Sequence, residues 1–324
     1  MHIYGTLGPA CAAADILEQM LCAGMTGVRL NLSHVTLTQA EPQLAALREA
    51  AERCGKPVEL LIDMQGPELR VGVLDAPLPL AAGARVPLDA LALPPQVRAV
   101  LTPGQALLLD DGTLLLTVKD ADTAEVLRGG TLQSRKSVAL PGCEVSLPPL
   151  TESDRLNLAA ARTFGVTGVM QPFVRSAEDL RAVRAAMDAA GGEDIRLFAK
   201  IENQQGLEQL PALIDAADEI VIARGDLGNA MPLWELPGAQ KRIAAQCREK
   251  GRPFMVVTQM LSSMEISPVP TRAEVSDIFN AVLDGAASVM VTGETAVGRY
   301  PVEVIRYLIN TVHAAQAYLT AQNS

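Results

Sequence analysis

The chain has 324 residues, 49% hydrophobic, 3% aromatic and 20% charged, with 27 Lys and Arg against 37 Asp and Glu for a formal net charge of −10. That composition excludes a disordered chain and argues against a basic surface for polyanions, so no nucleic-acid partner is expected. No run of 18 uncharged apolar residues occurs, and no basic stretch followed by an apolar one opens the sequence, so neither a membrane span nor a signal peptide is expected, and the expected compartment is the cytoplasm.

Short runs of period two, read as strands, alternate with Ala- and Leu-rich runs of helical period. The first strand covers residues 3–7 and its helix 13–23, closed by Gly24. The second strand covers 27–33 and its helix 37–54, closed by Gly55; the third strand covers 58–64. From Pro67 to Ser146 the alternation stops. Prolines, glycines, turn signals such as Asp111-Gly112 and short runs such as 114–118 predict a compact all-β insert. The alternation then resumes: helix 153–163, strand 168–173, helix 177–189, strand 195–202, helix 206–217, strand 219–224, helix 235–249, strand 254–259, helix 272–284, strand 288–292 and helix 302–318.

Eight strands, each followed by a helix, in about 245 residues once the insert is set aside, predict an α/β protein of the (β/α)8 TIM-barrel class. The predicted domains are a barrel in two parts, residues 1–69 and 147–324, and a small all-β lid domain at 70–146 inserted after strand three. An open doubly wound sheet is the alternative, but no GxGxxG follows the first strand and no GxxxxGK[ST] occurs anywhere. The five cysteines, Cys11, Cys22, Cys54, Cys143 and Cys247, are odd in number, widely spaced and without a CxxC pair. Buried thiols are therefore expected rather than a disulfide scaffold or a thiolate zinc site.

In a barrel of this kind the chemistry lies at the C-terminal ends of the strands. Polar residues collect there. Arg29, Asn31 and Ser33 alternate with leucines and so project to one side of strand two. Strand three ends in Asp63, and Lys200 and Glu202 share one side of strand five. Strand six ends Arg224-Gly225-Asp226, strand seven Thr258-Gln259 and strand eight Thr292-Gly293-Glu294. Any one of these alone reads as a solvated strand tip. Six of eight strands ending this way on one rim do not, because charged side chains are seldom buried unpaired. Arg29, Lys200 and Arg224 beside Glu202 and Asp226 predict an anionic, phosphorylated ligand and a hard divalent cation, Mg²⁺ or Mn²⁺, held by oxygens without His or Cys.

At these residues the sequence resembles the pyruvate kinase family over nearly its whole length. The matching segments are Gly5-Thr6-Leu7-Gly8-Pro9-Ala10, Val28-Arg29-Leu30-Asn31-Leu32-Ser33-His34, Gly66-Pro67-Glu68-Leu69-Arg70, Lys200-Ile201-Glu202-Asn203, Ala223-Arg224-Gly225-Asp226-Leu227-Gly228, Thr258-Gln259-Met260-Leu261, Pro270-Thr271-Arg272-Ala273-Glu274 and Gly293-Glu294-Thr295-Ala296. The resemblance implies phosphoryl transfer from phosphoenolpyruvate to ADP, giving ATP and pyruvate. It implies that Glu202 and Asp226 hold Mg²⁺, that Lys200 and Arg29 act on the phosphoryl group, and that Thr258 belongs to the proton-donating network. Substrate carboxylate binding falls to the amides of Gly225 and Asp226. A K⁺ site at Asn31, Ser33, Asp63 and the Met64 carbonyl is implied too, with Glu68 marking the potassium-dependent branch. His34, Arg70 and, in the lid stretch 130–142, Lys136 would meet the nucleotide. Without the family, Asn31 and Ser33 would read as polar strand ends and Lys136 as a solvated hairpin lysine.

The sequence departs from the family in several places. It stops after the eighth helix, before the family's C-terminal domain, so no response to sugar-phosphate effectors is expected. Met64-Gln65 replaces Thr-Lys, Val297 replaces a Lys, Val35 a Gly, and Gln39 stands where a Tyr is common. These changes fall around the nucleotide and the monovalent ion. They leave open a metal-dependent 2-oxoacid enolate enzyme of aldolase or decarboxylase type, and a noncatalytic phosphoenolpyruvate-binding paralogue. A homo-oligomer through barrel surfaces also stays open.

Overall fold

The computed structural model describes residues 1–33, 35–143, 145 and 147–322. The first three period-two runs form β1 (His2–Thr6), β2 (Gly27–Asn31) and β3 (Glu59–Asp63), separated by α1 (Ala14–Ala23) and α2 (Glu41–Cys54). Both helices end on a glycine in the left-handed region, Gly24 at φ 119° and Gly55 at φ 64°, where its amide returns to the last carbonyls. Among the described residues, seven strands of the insert follow: β4 (Leu78–Leu80), β5 (Arg85–Pro87), β6 (Ala106–Leu109), β7 (Leu114–Val118), β8 (Thr123–Arg128), β9 (Gly130–Leu132) and β10 (Val138–Ala139), with α3 (Pro95–Arg98) among them.

The barrel resumes with α4 (Glu152–Ala161), β11 (Gly168–Gln171), α5 (Ala177–Ala189), β12 (Arg196–Ile201), α6 (Gln204–Glu208) and α7 (Leu210–Ala216). It closes with β13 (Glu219–Ala223), α8 (Arg224–Asn229), α9 (Leu236–Glu249), β14 (Phe254–Val257), α10 (Arg272–Leu283), β15 (Ser288–Met290), α11 (Gly293–Ala296) and α12 (Pro301–Gln322).

Eight strands pair in parallel in the order β1-β15-β14-β13-β12-β11-β3-β2 and close on themselves. The TIM-barrel expectation therefore holds. Tyr4, Leu61, Met170, Phe198, Val221 and Met255 fill the lumen, and the opposite faces of the strands bury against the ring of helices. The N-terminal mouth is closed by charges: Tyr4 donates to Glu59, Arg196 pairs with Glu59 at 2.8 Å, and Ser288 donates to Glu219. This end of such a barrel serves stability rather than chemistry.

The insert has its own core of Leu88, Leu107, Leu116 and Val126 and two antiparallel sheets, β10-β6-β7-β8-β5 and β4-β9. It is not purely β, since α3 and a 3₁₀ turn at Leu88–Leu91 lie within it. Its two connections pair at the neck, where Val71 N donates to the Lys136 carbonyl and Val138 N to the Leu69 carbonyl, each at 2.8 Å. Among the described residues, no helix is long and apolar enough to cross a membrane.

The cysteine expectation needs a correction. Cys11 and Cys247 are buried thiols, but Cys22 and Cys54, at the ends of the neighbouring helices α1 and α2, form a disulfide with Cα atoms 6.0 Å apart. The pairing is invisible in the spacing because it comes from helix packing across 32 residues. Closing a loop of that size is worth about 3–4 kcal/mol. Reduction, or Cys54→Ser, is expected to lower the melting temperature by several degrees. Calorimetry with and without reductant checks this, and an unchanged melting temperature would refute the stabilising role.

Candidate active site

Asp63, the last residue of β3, is 2% exposed and sits at the centre of the rim. Arg29 from β2 reaches its Oδ2 with Nε at 2.8 Å and Nη2 at 2.7 Å. The Nζ of Lys200, from β12, reaches the same oxygen at 3.1 Å and Glu202 Oε1 at 2.9 Å. Register places these groups together: β2 pairs with β3 so that Asn31 lies opposite Asp63. Burial alone would raise the Asp63 carboxyl, but Lys200 and Arg29 outweigh it and hold it below its ordinary range. Burial would likewise discharge Lys200, yet Asp63 and Glu202 push its ammonium well above the usual lysine value. Lys200 is thus a fixed positive charge.

Glu202 is 2% exposed, and its Oε2 accepts from the Phe173 amide at 2.8 Å. Phe173 has φ 51°, a left-handed conformation that turns its amide toward the carboxylate. The sequence carries no signal for this contact. Asp226 lies on α8, and its carboxyl is pushed up to about 8, first by burial and then by Glu202, with Glu68 and Asp111 adding to the effect and Lys200 opposing it. Burial also raises Glu68, against the pull of Arg70 and Lys200.

Two cavities of about 380 Å³ each flank this cluster. One lies between the insert and the barrel and is lined by Glu68, Leu140, Phe173, Glu202, Asn203 and Asp226. The other is lined by Pro9, Arg29, Asn31, Gly293 and Val297. The contact run Arg29–Asp63–Lys200–Glu202 joins them.

The residues fit cations of two kinds. The carboxyls of Glu202 and Asp226, with Glu68 near, are crowded so that ionising Asp226 is disfavoured without a compensating cation. They offer only oxygen, as Mg²⁺ requires. Among the described residues, no group of three or more His, Cys, Asp or Glu could hold a metal, so substrate and water oxygens would complete the shell. Asp63 Oδ1 is buried and has no hydrogen-bond partner among the described residues. Ser33 Oγ donates to Glu68 Oε2 at 3.4 Å, and Asn31 Oδ1 accepts from Ser33 N at 3.1 Å. An oxygen with no proton donor, beside these groups and the Met64 end of β3, suits a monovalent cation.

Other predicted residues are placed differently. Arg224, Gly225 and Asp226 do not extend β13 but form the start of α8, and Thr258 and Gln259 leave β14 in a left-handed turn. Arg224, expected in the mouth beside Glu202 and Asp226, pairs with Asp277 at 2.7 Å and donates to the Thr258 carbonyl. Glu294 is 1% exposed and accepts from the amides of Leu261 and Thr292, so it builds the rim rather than facing a ligand. Arg70 pairs with Glu68 at 2.7 Å and Lys136 with Asp110 at 2.8 Å. His34 lies outside the described residues. Sequence reasoning also missed Asp154, fully buried, which accepts from the amides of Gln65 at 2.9 Å and Gly66 at 3.0 Å and from Thr151 in the α4 cap. It ties the strand leaving for the insert to the helix after its return. A Ser, Thr or Asp cap followed by an acid at the third position was the available signal.

A family model described as pyruvate kinase, barrel domain, matches residues 1–305. The chain is 37% identical over 321 residues to a pyruvate kinase of Geobacillus stearothermophilus, covering 94% of this chain and 55% of that protein. It is 39% identical over 321 residues to a pyruvate kinase of Aeropyrum pernix, covering 95% and 69%, and 36% identical over 337 residues to one of Leishmania mexicana, covering 98% and 67%. The chain thus spans little more than half the length of the bacillus relatives it matches.

Proposed function

The chain belongs to the pyruvate kinase family, and from that premise we propose that it transfers the phosphoryl group of phosphoenolpyruvate to ADP and protonates the enolate left behind, giving ATP and pyruvate. The observation that carries this reading is the charged run Arg29–Asp63–Lys200–Glu202 joining two cavities. Phosphoryl transfer needs in-line positioning and charge neutralisation more than covalent chemistry. Lys200, a compact ammonium held charged between two carboxylates, neutralises the phosphoryl group in flight and the developing enolate oxygen. Arg29 contacts the phosphoryl group from the side of the second cavity.

The amides of Gly225 and Asp226 hold the substrate carboxylate. Thr258 stands in the proton-donating network; its hydroxyl is too weak an acid to act alone, so a water chain feeds it. A divalent ion, Mg²⁺ or Mn²⁺, held by Glu202 and Asp226 would supply positive charge to the carboxylate and phosphoryl oxygens. On the insert, Lys136 and Arg70 reach the nucleotide phosphates as the lid closes and excludes water, exchanging Asp110 and Glu68 for phosphate; His34 is assigned there by resemblance alone.

The test is pyruvate formation from phosphoenolpyruvate and ADP with Mg²⁺ and K⁺, read by reduction of the pyruvate with a coupling enzyme. Turnover requiring phosphoenolpyruvate, ADP and Mg²⁺ is expected. No pyruvate would overturn the reading, and pyruvate with inorganic phosphate in the absence of ADP would show transfer of the phosphoryl group to water rather than to a nucleotide.

Potassium is expected to raise turnover. Asn31, Ser33, Asp63 and the Met64 carbonyl would hold K⁺, and Met64 in place of Thr preserves that carbonyl. The cation offsets the charge of Asp63 and Glu68 and eases entry of an anionic substrate. About a tenfold stimulation is expected, equivalent to ~1.4 kcal/mol. Rates in sodium- and potassium-free buffer, with and without KCl at matched ionic strength, check it. Equal rates would show a vestigial site.

A further inference from the structure

Thr258 has φ 81° and Gln259 φ 55°. A β-branched residue in the left-handed region is strained, and two consecutive non-glycine residues there persist only where their surroundings over-determine them. The surroundings do so from three sides. Arg224 Nη2 donates to the Thr258 carbonyl at 2.7 Å and lies 3.0 Å from Met260 Sδ. Glu294 Oε1 accepts from the Leu261 amide at 3.0 Å. Gly225 has no side chain where the Thr258 side chain packs: a Cβ there would lie 3.1 Å from Thr258 Cγ2.

Arg224 is itself held. Its Nη1 lies 2.7 Å from Asp277 Oδ2 and 2.8 Å from Asp277 Oδ1, and its side chain is 13% exposed. Asp277 comes from α10, which contributes no residue to either cavity lining. The guanidinium opens α8, the same short helix that carries Asp226. One side chain thus fixes the carbonyl of Thr258, after the seventh strand, to the helix bearing the site carboxylate, after the sixth.

We propose that Arg224 and Asp277 are positioning residues: Asp277 orients the Arg224 guanidinium, and Arg224 holds the strained Thr258–Gln259 turn so that the Thr258 side chain stays packed on Gly225, one residue from Asp226. The inference rests on the kinase reading for its catalytic consequence, because it sets the geometry of the step in which the enolate C3 takes a proton and its oxygen becomes the C2 carbonyl. Neither residue needs to touch substrate. A planar, forked donor is required, since it must serve Asp277 and the Thr258 carbonyl together; lysine carries the charge without the fork.

The test compares Arg224→Lys, Asp277→Asn and Asp277→Glu in the full chain. Arg224→Lys and Asp277→Asn are expected to lower kcat about ten- to a hundredfold, the cost of a misplacement near 1 Å. KM for phosphoenolpyruvate should move less than about twofold, the signature of an effect on the transition state. Asp277→Glu, which keeps the charge, should recover much of the loss. Independently of activity, the methyl resonance of Thr258 in threonine-labelled protein, assigned by Thr258→Ser, should shift in Arg224→Lys and Asp277→Asn.

A wild-type methyl resonance and unchanged kcat in both variants would overturn the proposal. So would a loss of activity that only tracks the unfolded fraction measured by thermal melting. If Arg224→Lys does not fold, Asp277→Asn decides by the same two readouts. If the unsubstituted chain makes no pyruvate, the kinase reading fails, and the methyl resonance alone decides the clamp: displaced supports it, unmoved overturns it.

Discussion

Replacing Lys200 with methionine is expected to lower kcat by about a thousandfold while moving KM for phosphoenolpyruvate by less than about threefold. Methionine keeps the length and much of the volume of lysine and deletes the charge. That charge lies between Asp63 Oδ2 at 3.1 Å and Glu202 Oε1 at 2.9 Å, with the side chain only 12% exposed. It is held fully protonated by those two carboxylates. A preorganised ammonium of this kind is worth most where negative charge develops, on the phosphoryl oxygens and the enolate. Arg29 still reaches Asp63 in the variant, so substrate capture retains a cation. Removing one partner of a buried ion cluster also destabilises the fold, and a thermal melt must accompany the kinetics. A variant with weakened binding and an unchanged kcat would sink the transition-state role of Lys200.

Asp226→Asn is expected to raise the Mg²⁺ concentration needed for half-maximal turnover at least about tenfold and to lower kcat/KM about a hundredfold. Its carboxyl is raised to about 8 by burial and by Glu202, Glu68 and Asp111, against Lys200, so without a cation its ionised form is disfavoured, and a bound cation is what would hold it ionised. The same crowding sets a second expectation of opposite sign. In chelator, Asp226→Asn should melt no lower than the unsubstituted chain, because it removes a carboxyl whose ionisation the fold opposes. Mg²⁺ titrations of turnover and melts in chelator measure both. An unchanged Mg²⁺ requirement would refute Asp226 as a ligand.

Helix and strand positions were legible because each follows from local chemistry. Residues 177–189 form a helix as expected, started by Ser176 accepting from the Asp179 amide. The expected helix at 206–217 is two helices, α6 and α7, meeting at Gln209 just before Pro211. Proline was the visible cause, since it supplies no amide proton. The helix expected from residue 37 begins only at Glu41, because the Leu37 amide donates to Asn157 Oδ1, 120 residues away. Nothing near residue 37 could announce that partner.

The sequence by itself determined the eight-fold alternation, the place of the insert, and the presence of Arg29, Asp63, Lys200, Glu202 and Asp226 on one rim, because period and strand parity are properties of neighbours along the chain. Only the tertiary structure decided what those charges do to one another. Lys200 and Arg224 look alike in sequence, each a cation at a strand end. Folding brings Asp63 and Glu202 to the first, between two cavities, and Asp277 and the Thr258 carbonyl to the second. The first remains a charge beside the cleft, and the second becomes a strut. The difference lies in which distant partner neutralises each charge, and electrostatic partners are chosen by distance in space rather than along the chain.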